Sequence, residues 1–220
     1  MMRTTLFATV LFSAAVLHGN TLDLSTGQLG TIGSFSDPHW TIVATPTGAG
    51  LNTTGAAYIE QNTYNSGLLW AATQAGANYI SSGDCGRQAY TAACGAGTYT
   101  FATTFNSVGP GNISFQVAGD NEVKVFLNTL SGTPLIDYGD QMSSTAWTSL
   151  SNPATTATAL NGTNTLYLEV LNAGSFTGGL LTGTVTGQFE SFAAPEPASF
   201  ALMAGALLGL SCWKRRRNPR

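Results

Sequence analysis

From Thr31 onward the chain alternates short runs of β-forming residues with clusters of Gly, Asn and Pro, the pattern of strands joined by turns. The segments HWTIVA (39–44), AAYIEQ (56–61) and NYISS (78–82) predict early strands. Later segments are more regular. GTYTFATTFN (97–106) places Tyr99, Phe101, Thr103 and Phe105 on one face, and NISFQVAG (112–119) groups Ile113, Phe115 and Val117. NEVKVFLN (121–128) sets Val123, Val125 and Leu127 against Glu122, Lys124 and Phe126. NTLYLEVLN (164–172) turns Leu166, Leu168 and Val170 inward, and LLTGTVTGQFESF (180–192) completes the series. Each such sheet has one apolar face that another must cover, so residues 20–193 are expected to form an all-β domain, an antiparallel β-sandwich. No amphipathic helix of a dozen residues interrupts them, and no fixed period of the solenoid kind recurs.

Composition agrees with this reading. Charged residues are only 9% of the 220, and Thr, Ser, Asn and Gly replace them. Thr fits a pleated surface, while Gly and Asn supply turn conformations. The net charge of −3 hides an asymmetry, because Arg3, Lys214, Arg215, Arg216, Arg217 and Arg220 hold six of the eight basic residues. Between those basic ends, Arg87 and Lys124 stand against all eleven acids, a balance of −9. An acidic body does not neutralise phosphates, so nucleic acid is excluded as a partner, and anionic membrane surfaces with it.

The two ends read differently from the body. MMRTTLFATVLFSAAVLHG (1–19) has a basic start at Arg3, an apolar stretch from Leu6 to Leu17 and small residues at Ala14, Ala15 and Gly19. That is the form of a helical signal peptide, and it predicts export. In an oxidising compartment Cys85 and Cys94, which bracket CGRQAYTAAC, are expected to pair as a disulfide. A metal pair is the alternative for them, with no neighbouring His or Cys to complete it.

Catalytic constellations are sparse. His39 is the only histidine outside the signal segment, and neither a G-x-S-x-G nor an H-E-x-x-H motif occurs. No catalytic residue, metal site or cofactor is therefore assigned. Paired carboxylates remain, because glycoside hydrolysis needs two of them: Asp120 with Glu122, or Asp137 with Asp140. Asp120 and Asn121 sit in AGDNE between two predicted strands, where such residues form turns, with a calcium or ligand role as the alternative. Sugar recognition can also use flat aromatic rings with Asn and Asp beside them. The candidate ligand-binding residues are thus Trp40, Trp70, Tyr79, Asp120, Asn121 and Asn172, against a core-packing alternative for each aromatic.

Residues 194–220 combine Pro195, Glu196 and Pro197, an uncharged run from Ala198 to Trp213, and the cluster Lys214, Arg215, Arg216, Arg217. As a helix the 16-residue run would extend about 24 Å, short of a hydrocarbon core of roughly 30 Å. The basic cluster would hold its end on the cytoplasmic side, with the body outside. This three-part order resembles the PEP-CTERM sorting signal of Gram-negative bacteria. The resemblance implies recognition by an exosortase, a transient transmembrane helix in the inner membrane and cleavage near Pro195, Glu196 and Pro197. Delivery to the cell surface or extracellular matrix would follow, in an exopolysaccharide or biofilm setting.

The body is similar to galactose-binding-like sandwiches in TYTFATTF, AGDNEVKVFLN and NGTNTLYLEVLNAGSFTGGLLTGTVTG. That implies a jelly-roll-like arrangement. The function expected is a non-enzymatic surface or matrix protein that binds carbohydrate. A glycan-active enzyme is the alternative, and ice binding through the Thr-rich surface a third.

Overall fold

The computed structural model describes residues 20–28, 36–47, 52–60, 77–83, 85, 94–140, 146, 148–152, 155–174 and 177–189. Residues 1–19, expected to be a signal peptide, the sorting tail and Trp70 lie outside them. Among the described residues eleven strands form: β1 (Asn20–Asp23), β2 (Ser36–Ala44), β3 (Gly55–Ile59), β4 (Ile80–Ser81), β5 (Gly97–Ser107), β6 (Gly111–Asp120), β7 (Glu122–Leu127), β8 (Ile136–Gly139), β9 (Thr155–Ala159), β10 (Gly162–Asn172) and β11 (Gly178–Gly187).

The strands do not separate into two independent sheets. They pair, antiparallel throughout, in one path, β8-β7-β10-β5-β2-β3-β4-β11-β6-β9, with β1 attached to β11. The ladder curls so that its two halves face each other. Its middle is where it can bend, since β4 has two residues and β2 shifts register against both β3 and β5.

The two halves approach closely at a glycine pair. Gly119 and Gly179 lie opposite each other on β6 and β11, and Val123 and Val170 lie opposite each other on β7 and β10. A Cβ on Gly179 would fall 2.5 Å from Val170 Cγ2 and 3.0 Å from Leu168 Cδ2. On Gly119 it would meet Val123, so larger residues on one layer require glycine on the other.

The predicted inward faces are the core. Tyr99, Phe101, Phe105, Ile113, Phe115, Val117, Val123, Val125, Leu166, Leu168 and Val170 are all buried. Burial of each such side chain contributes roughly 1.5–3 kcal/mol. Leu127 departs from the expected pattern, being half-buried near the end of β7, whereas Phe126 on the opposite face is buried. Strands β1, β8 and β9 were not among the expected strands. The first two have only four residues, and TTATA in β9 carries no large apolar side chain.

Two polar residues organise the interior. Asp37 is fully buried and accepts from the Gly27, His39 and Trp40 amides, at 2.6, 2.8 and 3.2 Å. Burial still raises its pKa above the usual carboxylate value, against the pull of those bonds. Asn164 accepts from the Leu160 amide and the Asn128 amide group and donates to the Leu160 and Gly162 carbonyls, tying the β9–β10 turn to the end of β7. Asn128 has φ 63°, a left-handed conformation that Asn tolerates, and exchanges two bonds with the Thr165 backbone.

Candidate functional site

At one end of the ladder several connections pass from one half to the other, β8 to β9 among them, and three carry residues singled out from the sequence. They are β4 to β5, β6 to β7 through Asn121 alone, and β10 to β11. The first contains the Cys85–Cys94 disulfide, with Cα atoms 5.6 Å apart, so the pairing expected of these cysteines is present. The others bind to each other. The Asn121 amide donates to the Leu171 carbonyl, the Ala173 amide to Asn121 Oδ1, both at 2.7 Å, and Thr177 Oγ1 to the Asp120 carbonyl at 3.4 Å. Asn172 is buried; its Nδ2 donates to the Gly95 carbonyl at 3.2 Å and its Oδ1 accepts from the Gly174 amide at 2.9 Å.

The residues singled out from the sequence therefore divide. Asp120, Asn121 and Asn172 converge at this end beside the disulfide, and Asn121 and Asn172 spend their side chains on backbone groups. Trp40 is completely buried and donates through Nε1 to the Leu24 carbonyl. Tyr79 is buried with Ala77, Ala118 and Leu180. Asp120 is 9% exposed, and no described hydrogen bond reaches its carboxylate. Burial pushes its pKa up to about 6.

Next to the crossover end, the outer face of β8, β7, β10 and β5 assembles a second group, which sequence spacing does not reveal. Register lines up Asp137, Lys124, Glu169 and Thr100 as one row across the four strands. The row nearer the crossovers is Gly139, Glu122, Leu171 and Thr98, and on the far side of the charged row Phe126 lies opposite Tyr167, with Ala102 next. Thr98, Glu122, Lys124, Glu169 and Leu171 line a small, open depression. The only sequence signal of this group is the polar side of NEVKVFLN, where Glu122, Lys124 and Phe126 share a face.

Lys124 Nζ lies 2.7 Å from Glu122 Oε1 and 3.4 Å from Asp137 Oδ2. The hydrogen bond from Lys124 to Glu122 and the charges of both acids hold its pKa above the ordinary lysine value. Glu169, opposite Lys124 in register, accepts from Thr100 Oγ1 at 3.4 Å. Burial raises its pKa, opposed by that bond and by the Lys124 charge. The depression thus offers an ammonium, carboxylates in several orientations and the Thr98 hydroxyl, while the Thr100 hydroxyl and the half-buried Tyr167 ring belong to the adjoining part of the same face. Such groups hydrogen-bond hydroxyls while a ring covers a C–H face.

The strand arrangement is similar to that of CBM35 from Cellvibrio japonicus Abf62, with a TM-score of 0.42, 11% identity and coverage of 78% of this chain and 96% of that one. CBM35 from Paenibacillus barcinonensis gives a TM-score of 0.36 and 14% identity over 77% of this chain and 100% of the other. Xyl-CBM35, solved with a glucuronic acid containing disaccharide, gives 0.39 and 12% over 70% and 94%. At these identities and TM-scores the fold assignment rests on this chain's own strand pairing. No curated protein matches the sequence. Residues 193–217 match the family model of the PEP-CTERM protein-sorting motif, so this chain carries that motif in its C-terminal tail.

Proposed function

We propose that the chain is an exosortase-sorted protein of the bacterial surface or matrix whose β-domain binds carbohydrate without catalysis, in an exopolysaccharide setting. The observation that carries the binding part is the mixed lining of the depression, Thr98, Glu122, Lys124, Glu169 and Leu171, beside the Phe126–Tyr167 pair. Retention of the full chain on a panel of immobilised polysaccharides is the test. Tyr167→Ala should lower retention at least about tenfold, the scale of one lost ring contact plus its neighbours, with unchanged strand content by circular dichroism. Absence of retention on every polysaccharide would remove the reading. For the sorting part, mass spectrometry of the exported protein should show a chain ending near Pro195, Glu196 and Pro197, and an intact tail would overturn it.

One observation favours a second reading, a glycan-active enzyme. Asp120, with its pKa pushed to about 6, holds its proton closer to neutral pH than an ordinary carboxyl, as a general acid must. Turnover of any polysaccharide in the same panel, lost in Asp120→Asn, would support it.

A further inference from the structure

This inference rests on the carbohydrate-binding reading of the β7–β10 face and names the ligand chemistry. Lys124 is the only basic residue among the described residues, and it is already engaged by Glu122 and Asp137. With Glu169 opposite it, one ammonium faces three carboxylates, a local balance of −2 at neutral pH. The protein between its basic ends carries −9, so the surrounding field has the same sign.

An anionic sugar arriving here would have to draw Lys124 away from Glu122, whose side chain is only 10% exposed, and leave that carboxylate buried without its partner. It would also lie beside Asp137 and Glu169. A cationic sugar meets the reverse situation. Glu169 is half-buried, within no ion pair to Lys124 at salt-bridge distance, and receives one long hydrogen bond from Thr100. Part of its desolvation is already complete in the free protein, so an incoming ammonium gains a charge-assisted bond without first stripping an open, fully hydrated carboxylate. A metal ion is the other cation to consider, but no group of three or more His, Cys, Asp or Glu among the described residues can hold one.

We infer that the depression lined by Thr98, Glu122, Lys124, Glu169 and Leu171 selects glycans that bear free ammonium groups, such as partly deacetylated amino-sugar polymers, and rejects uronate-bearing ones. Glu169 receives the ammonium, Lys124 and Thr98 bond neutral hydroxyls, and the Glu122 pair stays intact.

The experiment is calorimetric titration of the full chain with three oligosaccharide probes of equal length: glucosamine, N-acetylglucosamine and galacturonate oligomers. Each is run at low and high salt, with and without a chelator. The glucosamine oligomer should bind about tenfold more tightly than the acetylated one at low salt, with the preference shrinking as salt screens it. Glu169→Gln should bring the ratio of the two affinities close to one, and the salt response of the unaltered protein carries the test if that variant fails to fold. Equal affinity for the amine and acetylated probes, tighter binding of the galacturonate probe, or a preference abolished by the chelator would each overturn the inference while leaving carbohydrate binding intact. Failure of all three probes together with the whole polysaccharide panel would remove the binding reading itself.

Discussion

Strands β7 and β10 present two faces made from alternate residues of the same short segments. On the inner face Val123, Val125, Leu166, Leu168 and Val170 are completely buried against the opposite half of the ladder. On the outer face Lys124, Tyr167, Glu169 and Leu171 are half-exposed, and their chemistry is mixed. Because side chains alternate with a period of two, neither face can be altered by a register slip without exchanging it for the other. At Gly119 and Gly179 the inner face is covered so closely that a Cβ would clash with Val123, Val170 or Leu168. One set of strands thus carries an apolar face and a mixed one, and on the mixed face Glu122 and Phe126 are buried as well.

The sharpest way to break this separation is from the inside. Leu168 is completely buried, and its side chain reaches the space above Gly179. Leu168→Ala removes buried methyl groups and leaves a cavity, at a cost of about 2–5 kcal/mol. A denaturant titration should show that loss as a lower midpoint with an unchanged slope. A loss below about 1 kcal/mol would mean the two halves of the ladder are not packed through this residue.

Asp120 tests the crossover end of the ladder, because it is a charged group buried at the end of β6 on the side of Ala118, opposite to the side on which Gly119 meets Val123. Its folded pKa of about 6 exceeds the ordinary aspartate value of 3.8. The native state therefore binds more protons than the unfolded state between those pH values, and stability falls as pH rises through that window. Above it the cost of burying the ionised carboxylate is fully present, on the order of 3 kcal/mol. Asp120→Asn should make the protein more stable at pH 7 by up to about that amount and indistinguishable from the parent near pH 3.5. Asp37 and Glu169, raised in the same direction, are common to both proteins, so the difference curve isolates Asp120. Equal stabilities at pH 7 would show that solvent reaches the carboxylate.

The same contrast explains what could be read from the sequence. The inner face was legible because apolar alternation is local, and Leu166, Leu168 and Val170 need no partner to declare themselves. The sorting motif was legible for the same reason, being contiguous. The outer rows were not, since Lys124, Asp137 and Glu169 are distant in sequence and are joined only by register between β8, β7 and β10. Trp40 and Tyr79 carry the right chemistry for a sugar surface, yet size and hydrophobicity put both inside. Asp37 looks like a turn residue in SDPH, and its role in fixing Trp40 depends on Gly27 from another segment. Strand β9 escaped because TTATA offers no large side chain to mark a face.

The smallest expected effect on stability lies at the outer edge of the charged row. The Asp137 side chain is 50% exposed and its carboxylate is 3.4 Å from Lys124. Surface pairs of this kind contribute about 0–1 kcal/mol, so Asp137→Asn should shift the unfolding midpoint by no more than about 0.5 kcal/mol. Its effect on recognition should be measurable all the same, because it removes one of the three negative charges that turn away an anionic sugar. The preference for the glucosamine over the galacturonate oligomer should narrow about twofold to fivefold at low salt and be unaffected at high salt. Lys124 keeps its stronger partner, Glu122 at 2.7 Å, so the depression itself is preserved in this variant. A stability loss above about 1 kcal/mol would show instead that the outer row is part of the framework. An unchanged ligand preference would show that the row does not face the sugar.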